Sequence, residues 1–187
     1  MRAALFLAPS LLLCAATTHA GGYNPELDQE VFLGDHVLGP LQEVTIPIYL
    51  EENDNPVVGF SVSLTFLDQG EGTFSYASDL RMFMDAPFGS LSIGGYDSRD
   101  ESDLLWDFQG EESDESGPYA SGPHLVWAPE GVPKGGEWVF TLRNDWSGSM
   151  DNIEWNNVVV TLHKIPEPAT AAALLVLGGL ALRRRDG

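Results

Sequence analysis

Phe60-Ser61-Val62-Ser63-Leu64-Thr65-Phe66 alternates a large apolar side chain with a small hydroxylated one over seven residues. Successive side chains of an extended chain point to opposite faces, so Phe60, Val62, Leu64 and Phe66 share one face and the hydroxyls the other. The stretch therefore reads as a strand with one buried and one wet face. No sustained 3.6-residue apolar period runs between Gly21 and Ile165, so helices do not compete for this region. Working outward, Val44 to Leu50, Leu80 to Met84, Glu137 to Leu142 and Val158 to His163 carry the same short alternation. Pro47 removes a backbone donor from the first of these, which places that strand at a sheet edge or at a bulge. Turn formers separate the runs, among them Asp68-Gln69-Gly70, Ala86-Pro87-Phe88-Gly89 and Pro133-Lys134-Gly135-Gly136. Many short strands between Gly and Pro turns, without a repeat of solenoid or propeller length, predict an all-β antiparallel sandwich.

The whole chain has 187 residues, with 9 Lys+Arg against 28 Asp+Glu, a formal charge of −19. That length fits one domain, and a hydrophobic share of 43% can fill a core, which sets the chain apart from disordered acidic proteins. Nucleic acid is excluded as a partner, because neutralising phosphates takes lysines and arginines that the middle of the chain lacks. Cys14 is the only cysteine, so there is no disulfide framework and no Cys-ligated zinc or iron–sulfur site.

The two ends differ from the middle. Met1-Arg2, an apolar run from Ala3 to Ala16 and Thr18-His19-Ala20 before Gly21 make a secretory signal peptide over residues 1–20, cleaved between Ala20 and Gly21. A lipoprotein reading centred on Cys14 is disfavoured by the bulky Leu13 before it. At the other end, residues 166–187 hold Pro166-Glu167-Pro168, an apolar stretch from Ala169 to Leu182, and Arg183-Arg184-Arg185. Those fourteen apolar-stretch residues make roughly 21 Å of helix against a ~30 Å hydrocarbon core, a short span that arginine stems can extend. The Arg cluster sets the C-terminus in the cytoplasm and the domain of residues 21–165 outside.

Motif, short helix and basic end, in that order at the terminus, resemble the PEP-CTERM sorting signal of bacterial envelope and extracellular proteins. The resemblance implies a transiently membrane-anchored chain, recognised at Pro166-Glu167-Pro168 and cut by a protease-transpeptidase of the exosortase type. Loss of both ends leaves five basic against 27 acidic residues, so the mature domain is more acidic than the precursor.

Three stretches carry a second resemblance: Ser78 to Ser90 (SDLRMFMDAPFGS), Gly135 to Trp146 (GGEWVFTLRNDW) and Ile153 to Leu162 (IEWNNVVVTL). They are similar to the P domain (P/Homo B) of subtilisin-like proprotein convertases. That likeness implies a jelly-roll β-sandwich of the galactose-binding-like type. The chain departs from the pattern in its acidic insertion, in Asn152-Ile153-Glu154 before the last tryptophan, and in having no protease domain ahead of it, so a role in stabilising such a domain does not carry over.

Candidate chemistry is sparse. His36, His124 and His163 show no metal-binding spacing and read as surface or partly packed residues. No G-x-S-x-G elbow surrounds Ser61, Ser90 or Ser147, and no carboxylate pair stands out, so no catalytic residue is assigned and a non-enzyme is expected. Asp97 to Glu115 holds nine acids against Arg99 alone, which reads as a solvated, mobile loop; calcium, a hard cation taking oxygen ligands, is the alternative. Asp145, Asp151 and Glu154 form a second calcium candidate, set against turn-shaping by Asp145 and Asn152. No cofactor is required by either reading. Trp138 and Trp155 read as core, whereas Trp106, Trp127 and Trp146 lie nearer loops and are open to a sugar, although Trp106 beside Leu104, Leu105 and Phe108 can instead anchor the insertion. The expectation is an exported structural or adhesive envelope protein, with contact to extracellular polysaccharide, and a carbohydrate-binding module as the alternative.

Overall fold

A computed structural model describes residues 25–51, 55–67, 75–87, 89–127, 135–148 and 152–165. The signal peptide and its Ala20–Gly21 cleavage site lie outside the described residues, as do Asp151, the sorting motif and the Arg cluster. Among the described residues no helix is long and apolar enough to cross a membrane.

Eight strands form the domain: β1 (Gln29–Leu38), β2 (Glu43–Leu50), β3 (Val57–Leu67), β4 (Leu80–Ala86), β5 (Gly89–Gly94), β6 (Gly117–Leu125), β7 (Gly136–Asn144) and β8 (Ile153–Lys164). They make two four-stranded sheets, ordered β1-β8-β3-β6 and β2-β7-β4-β5, with every ladder antiparallel. The two inner faces form one hydrophobic cluster, as a β-sandwich requires. Apart from the β4–β5 hairpin, each connection carries the chain from one sheet to the other.

The alternation read in the sequence maps onto this core. Phe60, Val62, Leu64 and Phe66 point inward from β3, where Val62 pairs with Val160 and Phe66 with Trp155. Leu80, Met82 and Met84 of β4 and Trp138, Phe140 and Leu142 of β7 supply the opposite layer. Trp138 and Trp155 are buried as expected, and Trp155 donates its indole N–H to the Ala77 carbonyl at 3.2 Å. Trp127, half-buried, bridges the layers, its ring 6.0 Å from Phe60 and edge-on to Trp138 at 5.6 Å. Full burial of each such aromatic contributes on the order of 1.5–3 kcal/mol.

The edges are blunted. Pro47 sits on β2, at the border of its sheet opposite Val139, where its missing N–H leaves no ladder bond unmade. β1 is broken by register shifts on both sides of Gly34, and β6 carries Pro118 and Pro123. Such devices discourage pairing with a second chain.

Candidate functional site

The connections before β4, after β5 and after β7 meet at one end of the sandwich. Their meeting is organised by carboxylates. Asp79 closes a 3-10 turn (Ala77–Asp79): its Oδ2 accepts the Tyr76 N–H at 2.9 Å and its carbonyl accepts the Asp145 N–H at 2.9 Å. The Asp79 side chain is 0% exposed, and its Oδ1 has no hydrogen-bond partner among the described residues. Burial pushes this carboxyl from 3.8 up to about 7; the Tyr76 N–H opposes the shift, and the charges of Asp97 and Asp145 add to it.

Asp145 and Asp97 then clasp the two longer loops reciprocally. Asp145 Oδ2 accepts the Ser98 N–H at 2.8 Å and the Ser98 hydroxyl at 2.6 Å, while its Oδ1 lies 3.7 Å from Arg143 Nε. Asp97 Oδ2 accepts the Ser147 N–H at 2.9 Å and the Ser147 hydroxyl. Asp145 is therefore a buried tie between loops. Of its companions in the calcium candidate, Glu154 accepts the Asn156 amide at 2.6 Å, and Asp151 lies outside the described residues. No group of three or more His, Cys, Asp or Glu side chains among the described residues is placed to hold a metal ion.

Beside the clasp three half-buried aromatics gather. Tyr76 and Tyr96 stack at 5.8 Å and 14°, Trp146 meets Tyr96 edge-on at 4.9 Å, and the Arg99 guanidinium lies 5.8 Å over Tyr96. Flat rings flanked by hydrogen-bonding side chains are the surface a sugar ring can use. Trp146 was legible as a loop residue; Tyr76 and Tyr96, twenty positions apart, become neighbours only through the β4–β5 hairpin.

Trp106 proves different from the loop tryptophan open to a sugar. At 2% exposure it donates its indole N–H to the Leu80 carbonyl at 2.7 Å and stacks on Phe108 at 5.4 Å and 7°. Gly94, at φ +78°, makes room for it, since a Cβ there would overlap the indole. Leu105 is exposed, so the anchor consists of Trp106 and Phe108 with half-buried Leu104. Nor is the acidic run a solvated loop throughout. Asp103 Oδ2 accepts the Ser92 N–H at 2.8 Å and its hydroxyl at 3.0 Å, Asp107 Oδ2 accepts the Gly122 N–H at 2.8 Å, and 3-10 turns form at Arg99–Glu101 and Gly110–Ser113. Carboxylates that repel one another in an extended chain here satisfy backbone donors.

The histidines also separate. His36 and His124 are half-buried, bonded to the Leu33 carbonyl at 2.9 Å and to Ser121 at 3.0 Å. His163, read as surface or partly packed, is 4% exposed and meets Asp28 through Nδ1 at 3.0 Å, because β8 continues past its apolar run and pairs with β1 and β3. Ser121 and His124 lie at nucleophile–base distance, yet the Ser121 side chain is buried and its oxygen accepts the Asp107 N–H at 3.0 Å. That pair is thereby a support for the loop.

No protein-family model matches the chain, and no curated protein matches it.

Proposed function

We propose that the chain is an exported, non-enzymatic protein of the bacterial cell envelope or extracellular matrix, sorted by an exosortase-type protease and acting structurally or adhesively through its acidic surface. One observation carries this reading: the folded domain ends flush against the sorting motif. β8 closes at Lys164, Ile165 is 6% exposed and donates its N–H to the Pro56 carbonyl at 3.1 Å, and the next residues are Pro166-Glu167-Pro168. A cut at or beyond the motif spares every strand, whereas the tail before the cut tethers the sandwich at the membrane. The strand order β1-β8-β3-β6 over β2-β7-β4-β5 supports the jelly-roll form of the sandwich and its likeness to P domains.

The test is the intact mass of the exported protein, made in a host with and without the sorting protease. The expected product begins at Gly21 and has lost Arg183, Arg184 and Arg185 only where the protease is present; Glu167→Ala keeps the tail. A product that retains the three arginines in the competent host overturns the sorting reading. The adhesive part is tested by cell aggregation and matrix retention, which fall on deletion of the gene; unchanged aggregation and retention overturn it.

The Tyr76–Tyr96–Trp146 cluster favours a second reading, a carbohydrate-binding module at the cell surface. Trp146→Ala then abolishes binding on a glycan array, and binding that survives the substitution removes this reading's support.

A further inference from the structure

The loop end holds one titratable group with no part in the readings above. Asp79 is buried, and its Oδ1 has no hydrogen-bond partner among the described residues. Its Oδ2 holds the Tyr76 N–H and its carbonyl holds the Asp145 N–H, so its turn joins both neighbouring connections. Asp145 in turn grips Ser98, Asp97 grips Ser147, and the Asp97 N–H donates to the Asp145 carbonyl at 3.4 Å. Every ring of the aromatic cluster hangs on this set of bonds. Tyr76 is tied to Asp79, Tyr96 precedes Asp97, and Trp146 lies between Asp145 and Ser147.

The groups that face Asp79 make its ionised form costly. Asp97 approaches from the connection after β5 and Asp145 from the end of β7, both with their carboxylates already holding serines. The cations on the same elements are engaged by other groups. Arg143 Nε lies 3.7 Å from Asp145, Arg81 bonds Ser98 and lies 3.7 Å from Glu101, and the Arg99 guanidinium sits over Tyr96. The Gly110–Ser113 turn meets the Asp79 turn at Ser78, through the Gly110 N–H and the Ser113 hydroxyl, and β8 meets it through the Trp155 indole on the Ala77 carbonyl. A proton on Asp79 therefore spares the junction a third negative charge. Its loss leaves a bare carboxylate beside two others in a buried place, and parting of the loops relieves it by admitting water.

We infer that Asp79 is a proton-operated latch: protonated, it lets the Asp97 and Asp145 clasps close and assemble the Tyr76–Tyr96–Trp146 cluster, and on ionising it loosens both clasps. The rise of this carboxyl from 3.8 to about 7 sets the window. The closed form binds the proton more tightly than the open one, so the latch is firmest below pH 3.8, loosens as the pH rises, and is weakest above about 7. The consequence for a ligand rests on the carbohydrate reading of the cluster: a glycan held by these rings binds more tightly in acid than at neutral pH.

The experiment is hydrogen exchange on the full chain in a neutral detergent, read at the Ser98 and Ser147 amides, each rate divided by the intrinsic rate at that pH. Opening releases one proton across this window, so protection of both amides is expected to fall by about tenfold or more from pH 5 to pH 7 and to level off above. Asp79→Asn removes that dependence. Asp97→Asn moves the levelling of the Ser98 protection to lower pH, because one of the like charges is gone. Protection that is flat in wild type, or that falls equally in Asp79→Asn, overturns the latch. So does an equal fall at the Val126 and Trp127 amides, which donate to the Val58 carbonyl at the other end of β3, since that is general loosening. Glycan-array binding at pH 5 and pH 7.5 supplies the second arm. Binding that weakens with pH in wild type but not in Asp79→Asn supports control by the latch, and binding that is equal at both overturns that control. Binding at neither pH overturns the carbohydrate reading alone, and the exchange result still decides the latch.

Discussion

Replacing Asp79 with asparagine tests the electrostatics of the loop end, because the amide imitates the protonated carboxyl without its ability to ionise. The folded state raises this carboxyl from 3.8 to about 7, chiefly by burial. At 1.36 kcal/mol per unit, that shift corresponds to about 4 kcal/mol at most, a large share of the ~5–15 kcal/mol that holds a typical domain folded. The sign follows from linkage: the folded state binds this proton more tightly than the unfolded chain. The proton's stabilisation is thus fully present below pH 3.8, falls as the pH rises, and is gone above about 7. The Asp79→Asn side chain keeps an oxygen for the Tyr76 N–H and never acquires the buried charge. Urea unfolding of wild type and variant at a series of pH values between 3 and 8 isolates the group, since every other carboxylate titrates in both proteins. The expected difference is near zero at the acid end and grows to as much as about 4 kcal/mol in favour of the variant at the basic end. A difference that stays flat with pH, or that favours wild type at pH 8, would refute the reasoning; it would mean that Oδ1 has a compensating partner when ionised.

Trp106→Ala is expected to cost about 3–5 kcal/mol in urea unfolding, because it removes a buried ring and its hydrogen bond to the Leu80 carbonyl, which keeps only the Gly95 N–H; a loss below 1 kcal/mol would show that the acidic insertion is not anchored there. Gly94→Ala should destabilise as well, through both the indole overlap and the strained backbone. Pro47→Val restores an edge donor on β2, so light scattering should reveal concentration-dependent self-association, and a monomeric variant at high concentration would exclude an edge-protecting role. Millimolar calcium should raise the melting temperature no more than sodium chloride at matched ionic strength, since Asp145 and Glu154 are already engaged; a calcium-specific rise abolished by Asp145→Asn would reverse that assignment.

Which strands were legible in the sequence follows from where they sit. β3, β4, β7 and β8 are interior strands with a fully covered face, and burial there forces the two-residue apolar period that Phe60 to Phe66 displays. β1, β5 and β6 left no such trace, and all three are edge strands. An edge needs residues that discourage further pairing, so β6 uses Gly117, Pro118, Gly122 and Pro123, β1 is interrupted around Gly34 with Phe32 60% exposed on its outer side, and β5 is a short Gly-Ser-Leu-Ser-Ile-Gly segment. β2 is the instructive exception, an edge strand that kept its alternation and whose Pro47 announced its position. The site obeys a different limit. Charge density along Asp97 to Glu115 says that like charges repel in the unfolded chain, but whether a given carboxylate is solvated depends on which backbone donors the fold brings to it. Ser92, Gly122 and Ser147 reach Asp103, Asp107 and Asp97 from separations of 11, 15 and 50 residues, and no local pattern records those meetings.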